Sequence, residues 1–296
     1  MKMIRLIASL YSFIGALLFA GPLVQPGSTS QELAQMQNPI SSSGMSLDDL
    51  LRKTADYCKK LESAVLNFVC TEKVEEIQNV IRHGYRLDMM AAALSRSEIE
   101  SHKSEWLYDY QMIRKLGIID ERRTLLQENG KKKREENTLL RTTRVWYKNV
   151  VAGPVGLLGS EAQKMHNYRI LDETTISGKS AVIVEVTPRS GITAGLFGKV
   201  WIRNDDAAIL KIEWEPESMG NYDLVVQTAH EIDAKPKLTF ISEYDYEKNG
   251  IRFPSGFDVT EAYILPQVSR PFVKSKTTVT YYDYKFFTVE TAVIFK

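Results

Sequence analysis

The amino-acid sequence predicts a mainly β protein (α+β), built as a curved antiparallel sheet or incomplete β-barrel with one main N-terminal helix in its mouth. Three observations favour this class: apolar and polar residues alternate over many short segments, tight turns rich in Gly, Asn and Asp separate those segments, and no long helices intervene. The segments number roughly nine to eleven strands. One helix is too narrow to cover the apolar face of so wide a sheet, so we expect the sheet to curl on itself.

The N-terminal region precedes the predicted domain. Residues 1–20 combine a short basic start with the uninterrupted apolar stretch Leu6–Ala20, which is typical of a cleaved secretory signal peptide. The stretch is short for a bilayer span, which needs about 20 residues, and a retained anchor is the alternative. Residues 21–44 are rich in Gln, Ser, Pro and Gly and are expected to form a flexible leader, followed by a single β domain over residues 45–296. The sequence therefore predicts a periplasmic or secreted protein.

Charge and motif content exclude several functional classes. The chain has 38 Lys and Arg against 37 Asp and Glu, a formal net charge of +1, whereas nucleic-acid-binding domains usually carry a clear basic excess. We therefore expect no nucleic-acid partner. The four histidines lie far apart in the sequence, and neither zinc-ligand spacing nor a GxSxG nucleophile motif is present. The sequence thus predicts no metal site, no cofactor and no catalytic residues, and so not an enzyme.

The first predicted element is an amphipathic helix over residues 46–62. Ser46 followed by Asp49 matches a capping box, in which side-chain oxygens satisfy free amides at a helix start. An apolar stripe with spacings of three and four contains Cys58. The spacing then falls to two, which predicts a half-buried strand with Cys70 on its apolar face.

Turn residues divide the remaining chain into strands. The Asn129-Gly130 pair predicts a hairpin, and the SGKS segment at residues 177–180 reads as a turn between strands. A P-loop would need Gly at the position of Glu173 and a helix afterwards, and neither is present. The charged run at residues 130–137 is expected to be a solvated hairpin end rather than a lipid-headgroup site. Residues 77–103 fit helix, strand or mobile loop.

Several strands place their apolar side chains on one face, and these residues are candidates for lining a cavity. The candidates are Val182, Val184, Val186, Val200, Ile202, Leu210, Ile212 and Trp214. A curved sheet with such a face can enclose an apolar cavity for a small ligand. The same side chains can instead fill the interior of the protein. The pattern is compatible with both interpretations, a ligand cavity and a filled core.

Cys58 and Cys70 are the only cysteines of the chain. On one continuous helix they would lie roughly 18 Å apart, whereas a disulfide needs Cα atoms within about 7 Å. The change of period between them allows the chain to fold back and bring them together. For an exported protein we therefore predict a Cys58–Cys70 disulfide that ties helix to sheet, with free buried thiols as the alternative.

Two strand pairs carry a resemblance to a known group. The segments GKVWIRNDDAAILKIEWEP (198–216) and KSKTTVTYYDYKFFTVETAVIF (274–295) resemble secreted bacterial proteins related to the LolA/LolB outer-membrane lipoprotein-sorting group. The order of one helix followed by strands fits as well. The resemblance implies an incomplete antiparallel barrel closed by helices, an apolar interior that holds acyl chains of lipoproteins or other lipids, and no catalytic residues.

Together these observations lead us to expect a periplasmic carrier that binds lipid or lipoprotein acyl chains. The alternative is a non-enzymatic interaction module of the cell envelope with a filled core and a protein partner. Peripheral contact with a membrane is compatible with either.

Overall fold

The fold is taken from a computed structural model, which describes residues 45–64, 67–81, 99–115, 118–142, 153–190, 196–220, 222–266, 268 and 270–287. The expected signal peptide and leader lie outside these ranges, as does most of the undecided segment at residues 77–103. All described elements belong to one compact unit, Asn38–Lys296.

The described residues form four α-helices and thirteen strands. The helices are α1 (Leu47–Ala64), α2 (Gly153–Leu158), α3 (Ser160–Met165) and α4 (Tyr222–Glu231). The strands are β1 (Asn67–Ile81), β2 (Ile99–Lys115), β3 (Ile118–Glu128), β4 (Lys131–Glu135), β5 (His166–Ile176), β6 (Lys179–Pro188), β7 (Gly198–Arg203), β8 (Ile209–Trp214), β9 (Lys235–Glu243), β10 (Tyr246–Lys248), β11 (Ile251–Phe253), β12 (Gly256–Ile264) and β13 (Phe272–Phe286).

Eleven of these strands form a single antiparallel sheet in the order β4-β3-β2-β1-β13-β12-β9-β8-β7-β6-β5. Strands β10 and β11 form a separate hairpin. Within the described part of the chain, β4 and β5 end the order without pairing to each other, so the barrel is incomplete. The predicted fold class is confirmed, and the separate hairpin accounts for the two strands beyond the expected number.

Helix α1 begins as the sequence predicts. The Asp49 amide donates a hydrogen bond to Ser46 Oγ at 3.1 Å, and the Ser46 hydroxyl donates to the Asp49 carboxylate at 2.9 Å. The first bond satisfies an amide that would otherwise lack a partner at the helix start, and the second holds the Ser46 hydroxyl in place. The helix ends at Ala64, two residues beyond the expected end, and buries Leu50, Tyr57 and Leu61 in the main apolar core.

Three hairpin turns have the same backbone conformation. The pairs Asn129-Gly130, Ser177-Gly178 and Asn249-Gly250 have φ values of 49° and 74°, 51° and 76°, and 54° and 72°. Positive φ at both central residues matches the right-handed twist of the flanking strands. The hairpin predictions at the first two pairs are confirmed.

Helix α4 was not expected from the sequence. Its Val225 and Ala229 are buried in a second, smaller apolar cluster with Tyr263 of β12 and Phe272 of β13. Among the described helices, including α4, none is long and apolar enough to cross a membrane.

Candidate functional site

The inward face of the sheet is the surface on which the sequence placed a binding site. All eight candidate residues, on β6, β7 and β8, are at most 5% exposed. Seven of them belong to the main apolar core, while Leu210 is buried outside that cluster. A register shift between Trp201 and Ile202 sets Ile202 opposite Ile209, which joins the core. We call the inward side chains of β6 to β8 the aliphatic half.

Helix α2 packs directly on the aliphatic half. Its Leu157 and Leu158 are fully buried in the same core. At Gly153 a Cβ atom would lie 3.0 Å from Trp214 Cζ2 and 3.1 Å from the Tyr244 hydroxyl oxygen. The start of α2 therefore rests on the Trp214 indole, because a side chain at residue 153 would crowd the ring.

Charged and hydroxyl-bearing side chains occupy the same inward face on β1, β2, β3 and β13. Glu72 is completely buried, and its carboxylate accepts hydrogen bonds from Arg123 Nε at 2.5 Å and Arg123 Nη2 at 3.0 Å. The Tyr281 hydroxyl donates a third bond to it at 2.9 Å. Burial alone would lower the pKa of Arg123, but the charge and hydrogen bonds of Glu72 raise it above its ordinary value. We call this region the polar half.

A second carboxylate completes the polar half. Glu121 accepts hydrogen bonds from Arg123 Nη2 at 3.1 Å and from the Tyr110 hydroxyl at 2.8 Å. The Arg123 guanidinium also lies over the Tyr110 ring, 4.7 Å from its centre. Burial raises the pKa of Tyr110 and of Tyr281 well above the usual value, so both phenols remain neutral donors.

A backbone irregularity in β13 supplies a further inward aromatic residue. Asp283 has φ of 57°, and the pairing with β1 shifts register at this point. Tyr281 and Tyr284 consequently both face inward although they are three residues apart. Tyr284 belongs to an aromatic cluster that we define as Phe68, Tyr246, Phe253, Tyr284 and Phe286, with ring centres as close as 4.6 Å.

The predicted disulfide is wrong, because Cys58 and Cys70 are separate, buried, free thiols. Cys58 faces α2, where its sulfur donates a hydrogen bond to the Pro154 carbonyl at 3.5 Å. Cys70 lies on β1 beside Tyr284. Helix α1 turns its cysteine toward another helix rather than toward β1. Burial raises the pKa of Cys58 to about 12 and raises that of Cys70 as well, so both thiols stay protonated.

Helix α1 packs into the main core against α2, β11 and β5, and few polar bonds hold it. The Arg252 amide of β11 donates to the Tyr57 hydroxyl oxygen at 2.9 Å. The Gln163 side chain of α3 donates to the Leu51 carbonyl at 2.8 Å. Burial raises the pKa of Tyr57 to about 12. A third polar bond is the one from the Cys58 thiol to the Pro154 carbonyl. Apolar packing of Leu50, Tyr57 and Leu61 in the main core supplies the other attachment, which gives α1 the character of a lid.

Two cavities flank this lid. The first has a volume of about 590 Å³ and is lined by Asp56, Lys59, Lys60, Ser63 and Ile251; we call it the lysine pocket. The second, of about 360 Å³, lies between α1 and the α2–α3 pair and includes Cys58 in its lining. Neither is lined by the aliphatic half, whose side chains pack against α2 and one another.

The buried ionisable groups of these surfaces are paired or protonated. The buried acid Glu72 is neutralised by Arg123, and the thiols and inward phenols keep their protons. Among the described residues, no three His, Cys, Asp or Glu side chains gather as metal ligands.

Comparison with known proteins gives structural likeness only. No protein-family profile and no curated protein matches the chain. A LolA superfamily protein from Nitrosomonas europaea is 10% identical over 83% of this chain and 97% of its own, with a TM-score of 0.34. A putative outer membrane lipoprotein-sorting protein domain from Vibrio parahaemolyticus is 10% identical over 81% of this chain and 95% of its own, with a TM-score of 0.33. The MucA/MucB complex structure from Pseudomonas aeruginosa matches at 11% identity over 77% of this chain and 93% of that one, with a TM-score of 0.21.

At TM-scores below 0.5 these structural matches carry no argument about function. Evidence for the function therefore has to come from the residues of the chain itself.

Proposed function

We propose that this protein is a non-enzymatic carrier of the bacterial cell envelope that binds acyl chains of lipids or lipoproteins. One observation carries the proposal: the inward face of β6 to β8 is apolar, and the amphipathic helix α1 joins the same core largely through apolar contacts. An acyl chain can replace such contacts because it offers the same chemistry.

The energetics favour long chains over small ligands. Lifting α1 exposes Leu50, Tyr57 and Leu61, and each such side chain is worth about 1.5–3 kcal/mol of burial. A bound chain regains about 0.8 kcal/mol per buried methylene, so roughly six to eleven methylenes offset the opening of the lid. Ordinary acyl chains meet this requirement, and small apolar molecules do not.

The absence of catalysis is part of the proposal. It is supported by the protonated thiols of Cys58 and Cys70 and by the full pairing of Glu72 with Arg123 and Tyr281. A nucleophile or a general base needs an accessible, correctly ionised group, and these groups are buried.

The test is native mass spectrometry together with organic extraction of protein purified from a periplasm. We expect co-purifying lipid, or binding of fluorescent fatty acids to the delipidated protein. The two native thiols add a readout of mechanism: fatty acid should speed alkylation of Cys58, which lies on the lid, more than that of Cys70, which lies on the sheet. Absence of both lipid and fatty-acid binding would overturn the proposal.

The alternative is an interaction module with a permanently filled core. The tight packing of Gly153 on Trp214 supports it, because no ligand fits between the start of α2 and the Trp214 ring. This alternative predicts a stoichiometric protein partner. It also predicts that fatty acids do not change the rate at which the Cys58 thiol is alkylated.

A further inference from the structure

The lysine pocket joins the lid to the separate hairpin. Its α1 residues Asp56, Lys59, Lys60 and Ser63 follow the spacing i, i+3, i+4, i+7, so they form one stripe of the helix, and Ile251 of β11 forms the opposite wall. The pocket therefore lies along the seam between α1 and β11.

The pocket carries unneutralised positive charge. Within the described ranges, neither the Lys59 nor the Lys60 ammonium has a carboxylate within 4.0 Å, whereas Lys164 on α3 is paired with Glu161 at 2.7 Å. Within the lining of this pocket two ammonium groups accompany a single carboxylate, that of Asp56, although Lys59 also borders the second cavity, which contains Glu62 and Glu161. The Ser63 hydroxyl is already used, since it donates to the Lys59 carbonyl at 2.8 Å. An anion would thus be recognised by the two lysines.

The apolar wall of the pocket leads into the core. Ile251 packs against the main core, and Phe253, two residues along β11, belongs to the aromatic cluster. Tyr57, which follows Asp56, is buried and accepts the hydrogen bond from the Arg252 amide that closes the seam. A molecule with an anionic head in the pocket could pass its tail through this seam once that bond opens.

We infer that the lysine pocket binds the anionic headgroup, a phosphate or a carboxylate, of an amphiphile whose acyl chain lies beneath α1. This inference rests on the proposed function and specifies the class of its ligand. Asp56 and the carbonyl end of the α1 dipole oppose the lysines, so the preference for an anion is modest. For two exposed ammonium groups we expect roughly three- to tenfold tighter binding of an anionic than of a zwitterionic probe.

The experiment compares lysophosphatidylglycerol and lysophosphatidylcholine with the same acyl chain, and inorganic phosphate, each titrated below micelle-forming concentrations. The variants are the double substitution Lys59→Gln/Lys60→Gln and the control Lys53→Gln, which changes an exposed lysine of the same helix outside the pocket. Circular dichroism verifies that each variant is folded.

We expect the double variant to lose the preference for the anionic lysolipid, to keep its affinity for the zwitterionic one, and the control to behave as the unchanged protein. Equal binding of both lysolipids, unaffected by the double substitution, would overturn this inference and leave the carrier function standing. Binding of neither lysolipid would remove the carrier function and this inference together. If inorganic phosphate binds as tightly as the anionic lysolipid, the pocket is a site for free anions and the lipid assignment fails.

Discussion

The aliphatic half and the polar half of the inward face bury their side chains on one sheet by different means. In the aliphatic half, residues such as Val184 and Ile212 make non-directional contacts, so another apolar partner can take the place of a neighbour. In the polar half, Glu72 depends on particular donors from Arg123 and Tyr281. The aliphatic half can therefore repack around a ligand. The polar half has to keep its hydrogen-bond geometry and acts as a rigid wall.

The largest effect should come from removing one charge of the polar half. We expect Arg123→Met to lower the free energy of unfolding by about 3–5 kcal/mol, because it leaves the Glu72 carboxylate buried without its counter-charge. Urea unfolding measures the change. Arg122→Met, at the neighbouring exposed position, is the control and should cost less than about 1 kcal/mol. The double variant Glu72→Leu/Arg123→Met should recover most of the loss; if Arg123→Met is as mild as the control, the polar half is not a rigid wall.

A truncation tests the aliphatic half. Ile212→Ala removes a completely buried side chain and should cost about 2–5 kcal/mol, with values at the low end if the surroundings can close over the gap. Ile183→Ala, on the half-buried outward side of β6, serves as the control in the same unfolding measurement. A loss no larger than that of the control would contradict the assignment of Ile212 to the core.

Neighbouring tyrosines of β13 separate the two faces of the strand. Tyr281→Phe deletes a hydrogen bond to the charged Glu72 and should lower the free energy of unfolding by about 1.5–3 kcal/mol. Tyr282→Phe deletes a hydroxyl on the outward face, where the side chain is 39% exposed, and should have almost no effect. Similar losses for both variants would show that the bond to Glu72 contributes nothing specific.

Alkaline pH should lower the free energy of unfolding, and Tyr108 of the polar half is one of the groups responsible. Burial raises the pKa of Tyr108 to about 12 from the ordinary value of 10.0, so the folded state holds its proton more tightly than the unfolded state. The resulting stability is fully present below pH 10 and is lost as the pH rises toward 12, by about 1.4 kcal/mol per pH unit for one group. Unfolding free energies measured from pH 9 to 11 check this, and Tyr108→Phe should make the decline shallower. An unchanged slope would assign the alkaline loss to other groups.

The smallest effect on stability concerns the lid. Tyr57→Phe removes the acceptor of the Arg252 amide and should cost about 1 kcal/mol. Since this loss falls on α1, alkylation of Cys58 should become roughly fivefold faster, while Cys70 in the same molecule serves as the internal control. Equal acceleration of both thiols would indicate global unfolding rather than movement of the lid.

Features that depend on a few adjacent residues could be predicted from the sequence. The cap at Ser46, the turn at Asn129-Gly130 and the inward alternation of Val182 and Val184 each depend on a few adjacent residues, and the structure contains all three. The long-range features were missed. Alternation assigned Cys70 to the inward face but gave no reason to expect a buried glutamate, Glu72, two residues later on the same face. Its partner Arg123 lies 51 residues away, on another strand.

Two further features show why periodicity failed elsewhere. In α4 the apolar positions do not coincide with the buried ones, since the side chain of Leu224 is 60% exposed and that of Val226 is 43% exposed. The helix therefore has no continuous apolar stripe in its sequence. In β13 the bulge at Asp283 interrupts the alternation, and a strict period of two would turn Tyr284 outward. The aliphatic half of the candidate site could thus be predicted from sequence, whereas the polar half and the lysine pocket depend on contacts between distant segments.

The unlinked state of Cys58 and Cys70 frees the biogenesis of this protein from redox chemistry. Without a crosslink to form, the chain needs neither an oxidant nor a disulfide isomerase to reach its fold. Recombinant protein made in a reducing cytoplasm should therefore have the same structure as protein recovered from an oxidising compartment. The two buried thiols can then serve as native sites for chemical labelling.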